Sequence, residues 1–393
     1  MQGPDSRRGA IPPLLKNLNE RTVLETIRDG APISRAEISR RAGISKPTVS
    51  LALKALLEAG LVRESPHEPD GPTYGAVYFE PVSDAALVVG LDLGARFLRS
   101  AVCDLGGTIR ARQDIELRPP AADAALDAAP SLLSSLLATT GLDTDLIDAV
   151  IVGVPGVVDV RSGTVQVTHL ADLEGRAFGP ELSEHLSLPV TLENDVNLAA
   201  LGEQWLGVAR GVDDFVFLSV GTGLGAGMVL HGELHRGYHG AAGEVDYALI
   251  GLAQEVDPSA GAVSSLASTL AGSGSTSLEP PFDVRGIFAA ARGGDPVAQA
   301  VVDEDARRIA LHIGAVAAVA DVELAVLGGG LGANGDLLLA PVRSLLPEWL
   351  PYPPRIEVSS LGEAAVLTGA LAVGRRAALD NVFANRARRP APV

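Results

Sequence analysis

A single cysteine, Cys103, stands among 393 residues, so neither a disulfide framework nor a cysteine-built metal cage can be assembled from this chain. A reducing cytoplasm is the expected setting. The longest apolar stretch, Ile309 to Gly330, is interrupted by His312, Asp321 and Glu323, which argues against a membrane span. The opening MQGPDSRRGAIPP has no apolar core of the kind a signal peptide needs, so no secretory leader is expected. Basic charge is scarce: 31 Lys and Arg face 48 Asp and Glu, a net charge of −17, which excludes a protein coated in nucleic acid over its whole surface. The shortage is uneven. Residues 1 to 66 hold 11 basic and 7 acidic side chains, net +4, and the other 327 residues carry net −21. Glycine and proline are plentiful but follow no period, which indicates many turns and not a repeat array. With 47% apolar residues over this length, two or three domains are expected.

The basic segment reads as three short helices. Leu14, Leu18, Val23, Leu24 and Ile27 recur at helical spacing and stop at Gly30. Ser34 with Glu37 forms a capping box for a second helix ending at Gly43, and Ser45 with Pro47 opens a third that ends at Gly60. On the third, Val49, Leu53, Leu56 and Leu57 share an apolar face, opposite Lys46, Ser50 and Lys54. A strand expected at Gly75 to Phe79 completes a winged helix-turn-helix, in which the start of the last helix enters the DNA major groove. Ser45, Lys46, Thr48 and Ser50 would then reach phosphates or base edges, with Lys54 and Arg41 near the backbone. The wing, HEPDGPTYGA, carries Glu68 and Asp70 and no basic residue, so the helix must supply most contacts. A protein-contact role for the module is the alternative.

After Pro81 strands and helices alternate. Leu87 to Gly94, Phe97 to Asp104 and Thr108 to Glu116 read as three adjacent antiparallel strands, followed by a helix near Ala122 to Ala138 and a buried strand at Ala149 to Val154. Asp92 with Gly94 at the first turn is either a holder of a metal-bound phosphate or a turn aspartate. In Leu188 to Glu203 a strand ends in Glu193-Asn194-Asp195 where a helix begins. There Asp195 is placed to accept a proton from a substrate hydroxyl and Asn194 to bond its neighbour, unless both only cap the helix. In Leu218 to Tyr247 a strand breaks into Gly221-Thr222-Gly223-Leu224-Gly225-Ala226-Gly227 and resumes. Such a loop exposes backbone N–H groups and one hydroxyl that can cradle a phosphate, though a glycine hairpin needs only turn geometry. His231, His235 and His239 straddle a strand and a loop, which favours surface roles over a metal site.

In order and spacing, LDLGARFLRSAVCDLGG (91 to 107), GVPGVVD (153 to 159), LPVTLENDVNLAALGE (188 to 203), LSVGTGLGAG (218 to 227), GYHGAAGEVDY (237 to 247), DVELAVLGGGL (321 to 331) and GEAAVLTGAL (362 to 371) resemble the ROK family of repressors, open reading frames and sugar kinases. The likeness runs from about residue 14 to 375 and is strongest to the family's transcriptional regulators. It implies an α/β architecture: a winged helix-turn-helix at 1–82, then a two-lobed actin-like (ribonuclease H-like) sugar-kinase fold. The first lobe is expected at 83–200, completed by a helix near 362–380, the second at 201–361, and a basic tail at 381–393. A homodimer or homotetramer is also implied.

By the same resemblance, Asp195 is the base if kinase activity is retained, and Asn194 and Glu244 bind sugar hydroxyls. Gly153, Pro155 and Gly156 line that pocket, with Tyr247 at its end. Asp92, Gly94, Gly221, Thr222, Gly223, Gly225, Gly328 and Gly329 belong to the nucleotide side, where ATP and Mg would be needed only by a kinase. Two departures weigh against one. Ala95 and Arg96 replace a glycine and a threonine of the first phosphate loop. Tyr247 replaces the histidine of the family's zinc site, and AQEVDPSAGAVSSLASTLAGSGSTSLEPP downstream, of low complexity, lacks its cysteines. No zinc is expected. The leading expectation is a repressor that binds operator DNA and answers to a sugar-like ligand. The alternatives are an ATP-dependent sugar kinase and a regulator that answers to a protein partner.

Overall fold

In the computed structural model, which describes residues 13–66, 76–159, 161–248, 253–272 and 275–384, the N-terminal segment forms three helices, Pro13–Gly30, Arg35–Ala42 and Lys46–Glu58. A small sheet of Ile33–Ser34, Tyr78–Pro81 and Val62–Glu64 closes them, in that order. The sequence sets the helix ends. Ser34 accepts from the Glu37 N–H and Ser45 from that of Thr48, while Gly43 ends the second helix in the left-handed conformation. Val23, Ile27, Ile38, Val49, Leu53 and Leu56 are buried together. Leu57, expected on this packed face, is instead 36% exposed, because it lies about 80° round the helix from Val49, at the edge of the apolar stripe. Residues 67–75, the tip of the expected wing, lie outside the described residues, as do 385–393 of the basic tail.

Two five-stranded sheets follow. The first contains Leu87–Leu93, Phe97–Asp104, Ile109–Glu116, Ile147–Val154 and Val190–Asn194. The second contains Phe215–Val220, Leu224–Leu230, Glu233–Leu234, Leu324–Gly328 and Arg355–Val358. Counting strands within each, both sheets have the order 3-2-1-4-5, with the first three antiparallel and the last two parallel to the first. One topology used twice gives the two-lobed actin-like architecture. Each lobe has its own core, built on Leu91, Val102, Leu133 and Val152 in the first and on Leu218, Ile287, Ile309 and Leu327 in the second.

The expected division at residues 200 and 201 falls inside helix Asp195–Leu206, which starts at the edge of the first sheet and packs on strands of the second. Its small apolar residues serve both sides, so composition does not change where the lobes meet: Leu198 joins Ile151 and Ala370, while Ala199 and Ala200 join Phe215 and Phe217. Helix Ala365–Ala384 crosses the first sheet and lies close against Asp195–Leu206, where a Cβ on Gly202 would collide with the Ala365 carbonyl. Glu203, fully buried, accepts from the Val208 N–H at 2.9 Å, the Leu361 N–H at 3.2 Å and the Ser359 hydroxyl, tying the lobes together. The low-complexity stretch is not formless: Ala260–Ala271 is a helix with Val263 and Ala267 buried in the second core. Among the described residues no helix is long and apolar enough to cross a membrane.

Candidate ligand cleft and nucleic-acid interface

The C-terminal end of strand Val190–Asn194 faces the hairpin at 220–224 across a cleft of about 640 Å³. Ten of the expected residues line it: Pro155, Gly156, Asn194, Asp195, Gly221, Thr222, Gly223, Gly225, Glu244 and Tyr247. The polar run at the strand end divides by direction. Glu193 is buried; its Oε1 accepts from the Asn197 side chain and the Asn194 N–H, both at 3.0 Å, and its Oε2 from Arg236 at 2.6 Å. Asn194 caps the helix, accepting from the Asn197 N–H at 2.9 Å, and its Nδ2 donates to the Gly156 carbonyl at 3.0 Å. The cap reading of Asn194 therefore holds, and the same side chain fixes the neighbouring loop.

Asp195 opens the helix at the cleft wall, with one oxygen accepting from the Val196 N–H at 2.9 Å. Burial, reinforced by the charges of Asp92 and Glu244, pushes its carboxyl up to about 7. Burial and Asp246 raise Glu244 as well. A carboxyl raised towards neutrality can keep its proton and both donate and accept, which suits a ligand rich in hydroxyls, while the gathered acids disfavour an anion. Thr168, His169 and Asp246 also line the cleft. Thr168 and His169 come from the loop after strand Thr164–Gln166, whose turn Gly156 shapes from a distance, so no local motif marked them.

The half expected to hold a nucleotide is only partly open. A Cβ on Gly223 would meet nothing, and one on Gly221 only the Gly330 nitrogen at 3.6 Å, so the loop leaves room for a ligand, although the Gly221 N–H already donates to the Gly223 carbonyl at 2.9 Å. Five expected residues do not line the cleft. Gly153 is small because Val366 Cγ1 would lie 2.6 Å from its Cβ, and Gly328 because the Phe217 ring fills that space. Gly329 sits at φ +76° against the Val220 backbone, and Gly94 closes a turn by donating to the Phe97 carbonyl at 2.9 Å. Close packing or a positive φ requires Gly153, Gly328 and Gly329, whereas the turn bond of Gly94 is open to any residue with an N–H.

Asp92 is opposite Arg99 in the strand register, and the guanidinium bonds it at 3.3 Å and Glu363 at 3.4 Å. Burial pushes the Asp92 carboxyl up to about 6 against the pull of Arg99. A cation-bound phosphate would have to displace that guanidinium, Ala95 brings no hydroxyl, and Arg96 is paired with Glu116 at 2.8 Å. These residues do not fit a metal-bound nucleotide at Asp92. Tyr247 is exposed at the cleft mouth, and among the described residues no group of three or more His, Cys, Asp or Glu is arranged to hold a metal. His231 occupies a turn at φ +54°, 3.6 Å from Asp214.

Helix Lys46–Glu58 offers fewer free donors than its sequence suggests.

 Ser45 is spent on the cap and on the Thr48 hydroxyl at 2.8 Å, and Ser50 donates to the Lys46 carbonyl at 2.9 Å. Lys46 is exposed. Lys54 is exposed and pairs loosely with Glu58 at 3.8 Å, an interaction too weak to hold it from a phosphate. Arg41 departs from expectation: its Nε donates to Glu37 at 2.7 Å and its guanidinium lies beside Gly30, so it braces the first helix. Arg35, exposed and lining one depression with Lys46 and Val77, is a basic group the helix-face reading passed over, because it belongs to the preceding helix.

Comparison with known proteins decides the lineage. The ROK family model matches residues 88–377. The chain belongs to the ROK family. A MarR family model matches residues 17–71, the helical module ahead of the ROK domain. The xylose repressor of Caldicellulosiruptor bescii is 26% identical, over 92% of this chain and 96% of its own length. A crystal structure of a ROK family transcriptional regulator, a homologue of the E. coli MLC protein, superposes with a TM-score of 0.78 at 24% identity, over 95% of this chain and 98% of that one. A ROK family glucokinase from Streptomyces griseus, solved with glucose and AMPPNP, gives a TM-score of 0.62 at 28% identity, over 74% of this chain and 100% of that one.

Proposed function

We propose that this ROK protein is a cytoplasmic transcriptional repressor whose grip on operator DNA is set by a sugar-like ligand in the acidic cleft. The observation that carries the reading is the joining of two parts in one chain: a capped helix with Lys46 exposed at its start, and a cleft walled by Asp195, Glu244 and Asn194. The xylose repressor aligned over nearly the full length, helical module included, supports the same assignment. The ligand is a neutral polyol, since the gathered carboxyls can hydrogen-bond hydroxyls and disfavour an anion. Ligand that prefers one closure of the lobes would change the spacing of two DNA-binding modules in a homodimer or homotetramer, and so the operator they can span. A preference of about tenfold corresponds to roughly 1.4 kcal/mol of coupling.

A second reading, an ATP-dependent sugar kinase, is favoured by the raised carboxyl of Asp195 and the open Gly221 to Gly223 loop. The Asp92–Arg99 pair counts against it, because phosphoryl transfer depends on cations neutralising the transferred group. A thermal-shift panel of neutral pentoses and hexoses against their phosphates and Mg-ATP separates the readings. Stabilisation by a neutral sugar without nucleotide supports the sensor, and ADP release that Asp195→Asn abolishes would replace it with the kinase. Silence across the panel would favour a regulator that answers to a protein partner.

A further inference from the structure

We propose that Arg28 and Arg375 are positioning residues that pass the state of the cleft to the DNA-binding module, and that they do so by sharing one acceptor, the backbone carbonyl of Leu105. The inference rests on the repressor reading above. Arg28, on the first helix of the N-terminal module, donates from Nη2 to this oxygen at 3.1 Å, and Arg375, on the C-terminal helix, donates from Nε at 2.8 Å. Both lone pairs of the carbonyl are thereby engaged. The N–H of the same residue donates to the Ser83 carbonyl at 2.8 Å, in the connector between module and first lobe. Leu105 thus fastens the module, its connector and the C-terminal helix at one point.

The cleft reaches this point through a single helix. Asp195 begins helix Asp195–Leu206 at the cleft wall, and Trp205 stands near its other end, about 15 Å away at 1.5 Å per residue. The Arg375 guanidinium lies 5.7 Å from the Trp205 ring centroid, a cation–π contact. The edge of that ring comes within 2.9 Å of where a Cβ on Gly107 would sit, in the turn that follows Leu105. Ligand that tilts the helix at Asp195 must therefore move Trp205 against Arg375 and the 105–107 turn, and with them the hydrogen bond from Arg28. An ion pair between Arg21 and Asp380 at 2.6 Å keeps the same two helices in step.

Tryptophan occurs at only two positions, 205 and 349, so Trp349→Phe leaves Trp205 as sole reporter and the test does not need the natural sugar. Linkage is reciprocal: if the cleft acts on DNA through this junction, DNA must act on the junction. The full-length Trp349→Phe protein is titrated with a labelled duplex from the chain's own upstream region at low salt, reading duplex anisotropy and Trp205 emission together. The expected result is a shift in Trp205 emission that saturates with DNA binding. Adding Arg28→Gln should remove the shift while anisotropy still reports binding, because Arg28 is not on the helix that meets DNA. Arg375→Lys, which keeps charge and stem but cannot keep the planar contact with the ring, should reduce it too and serves if Arg28→Gln does not fold. DNA binding with unchanged emission, or a shift that survives both substitutions, overturns the junction. Absence of DNA binding in the parent protein overturns the repressor reading itself, which anisotropy shows separately.

Discussion

Asp195 is held at a cost in the cleft, and replacing it by asparagine should stabilise the protein in a pH-dependent way. Its carboxyl is raised from 3.8 to about 7, chiefly by burial and then by the charges of Asp92 and Glu244. Below the unfolded value the carboxyl is protonated in both states and costs nothing. As pH rises from there the unfolded chain releases its proton while the folded one keeps it, so the cost grows until the folded group ionises and is constant above that. A difference of about three pH units corresponds to at most roughly 4 kcal/mol. Access of water to the cleft reduces this to about 2 kcal/mol at pH 8. Urea denaturation of the wild type and Asp195→Asn at pH 5 and pH 8 measures it. The gain should be larger at pH 8. An equal effect at the two pH values, or a destabilised variant at pH 8, would refute the assignment of a strained, ligand-directed carboxyl.

Lys46→Ala should weaken DNA binding and lower the slope of log affinity against log salt by about one, whereas Arg41→Ala should leave that slope unchanged because Glu37 already holds its guanidinium. Anisotropy over a salt series checks both. Glu203→Ala leaves the N–H groups of Val208 and Leu361 without their acceptor in a buried place, and the expected loss is about 3 kcal/mol or more, read from the urea midpoint.

The positions of the helix ends were legible because capping is local: Ser34, Ser45, Pro47 and Gly43 each act within four residues. Strand ends at the cleft were legible for a similar reason, since Asn194 and Asp195 stand where an apolar run stops and a helix begins. What sequence could not show was which neighbour each small or charged residue meets. Gly328 and Gly225 look alike in the chain, yet one faces the Phe217 ring and the other the cleft beside Val196. Asp92 looked free to hold a phosphate until the register brought Arg99 opposite it. The division between lobes stayed hidden because helix Asp195–Leu206 is shared by both cores. The bonds of Arg28 and Arg375 to Leu105 span 77 and 270 residues, beyond the reach of any local pattern.

The central claim is that sugar in the cleft and DNA on the helical module are coupled. The most direct measurement is the affinity of the full-length protein for its own upstream DNA, by anisotropy, with and without saturating D-xylose or D-glucose. The account requires binding at low salt that at least one neutral sugar changes by about fivefold or more. Binding that neither these nor any other neutral sugar alters, or no binding at all, would contradict it.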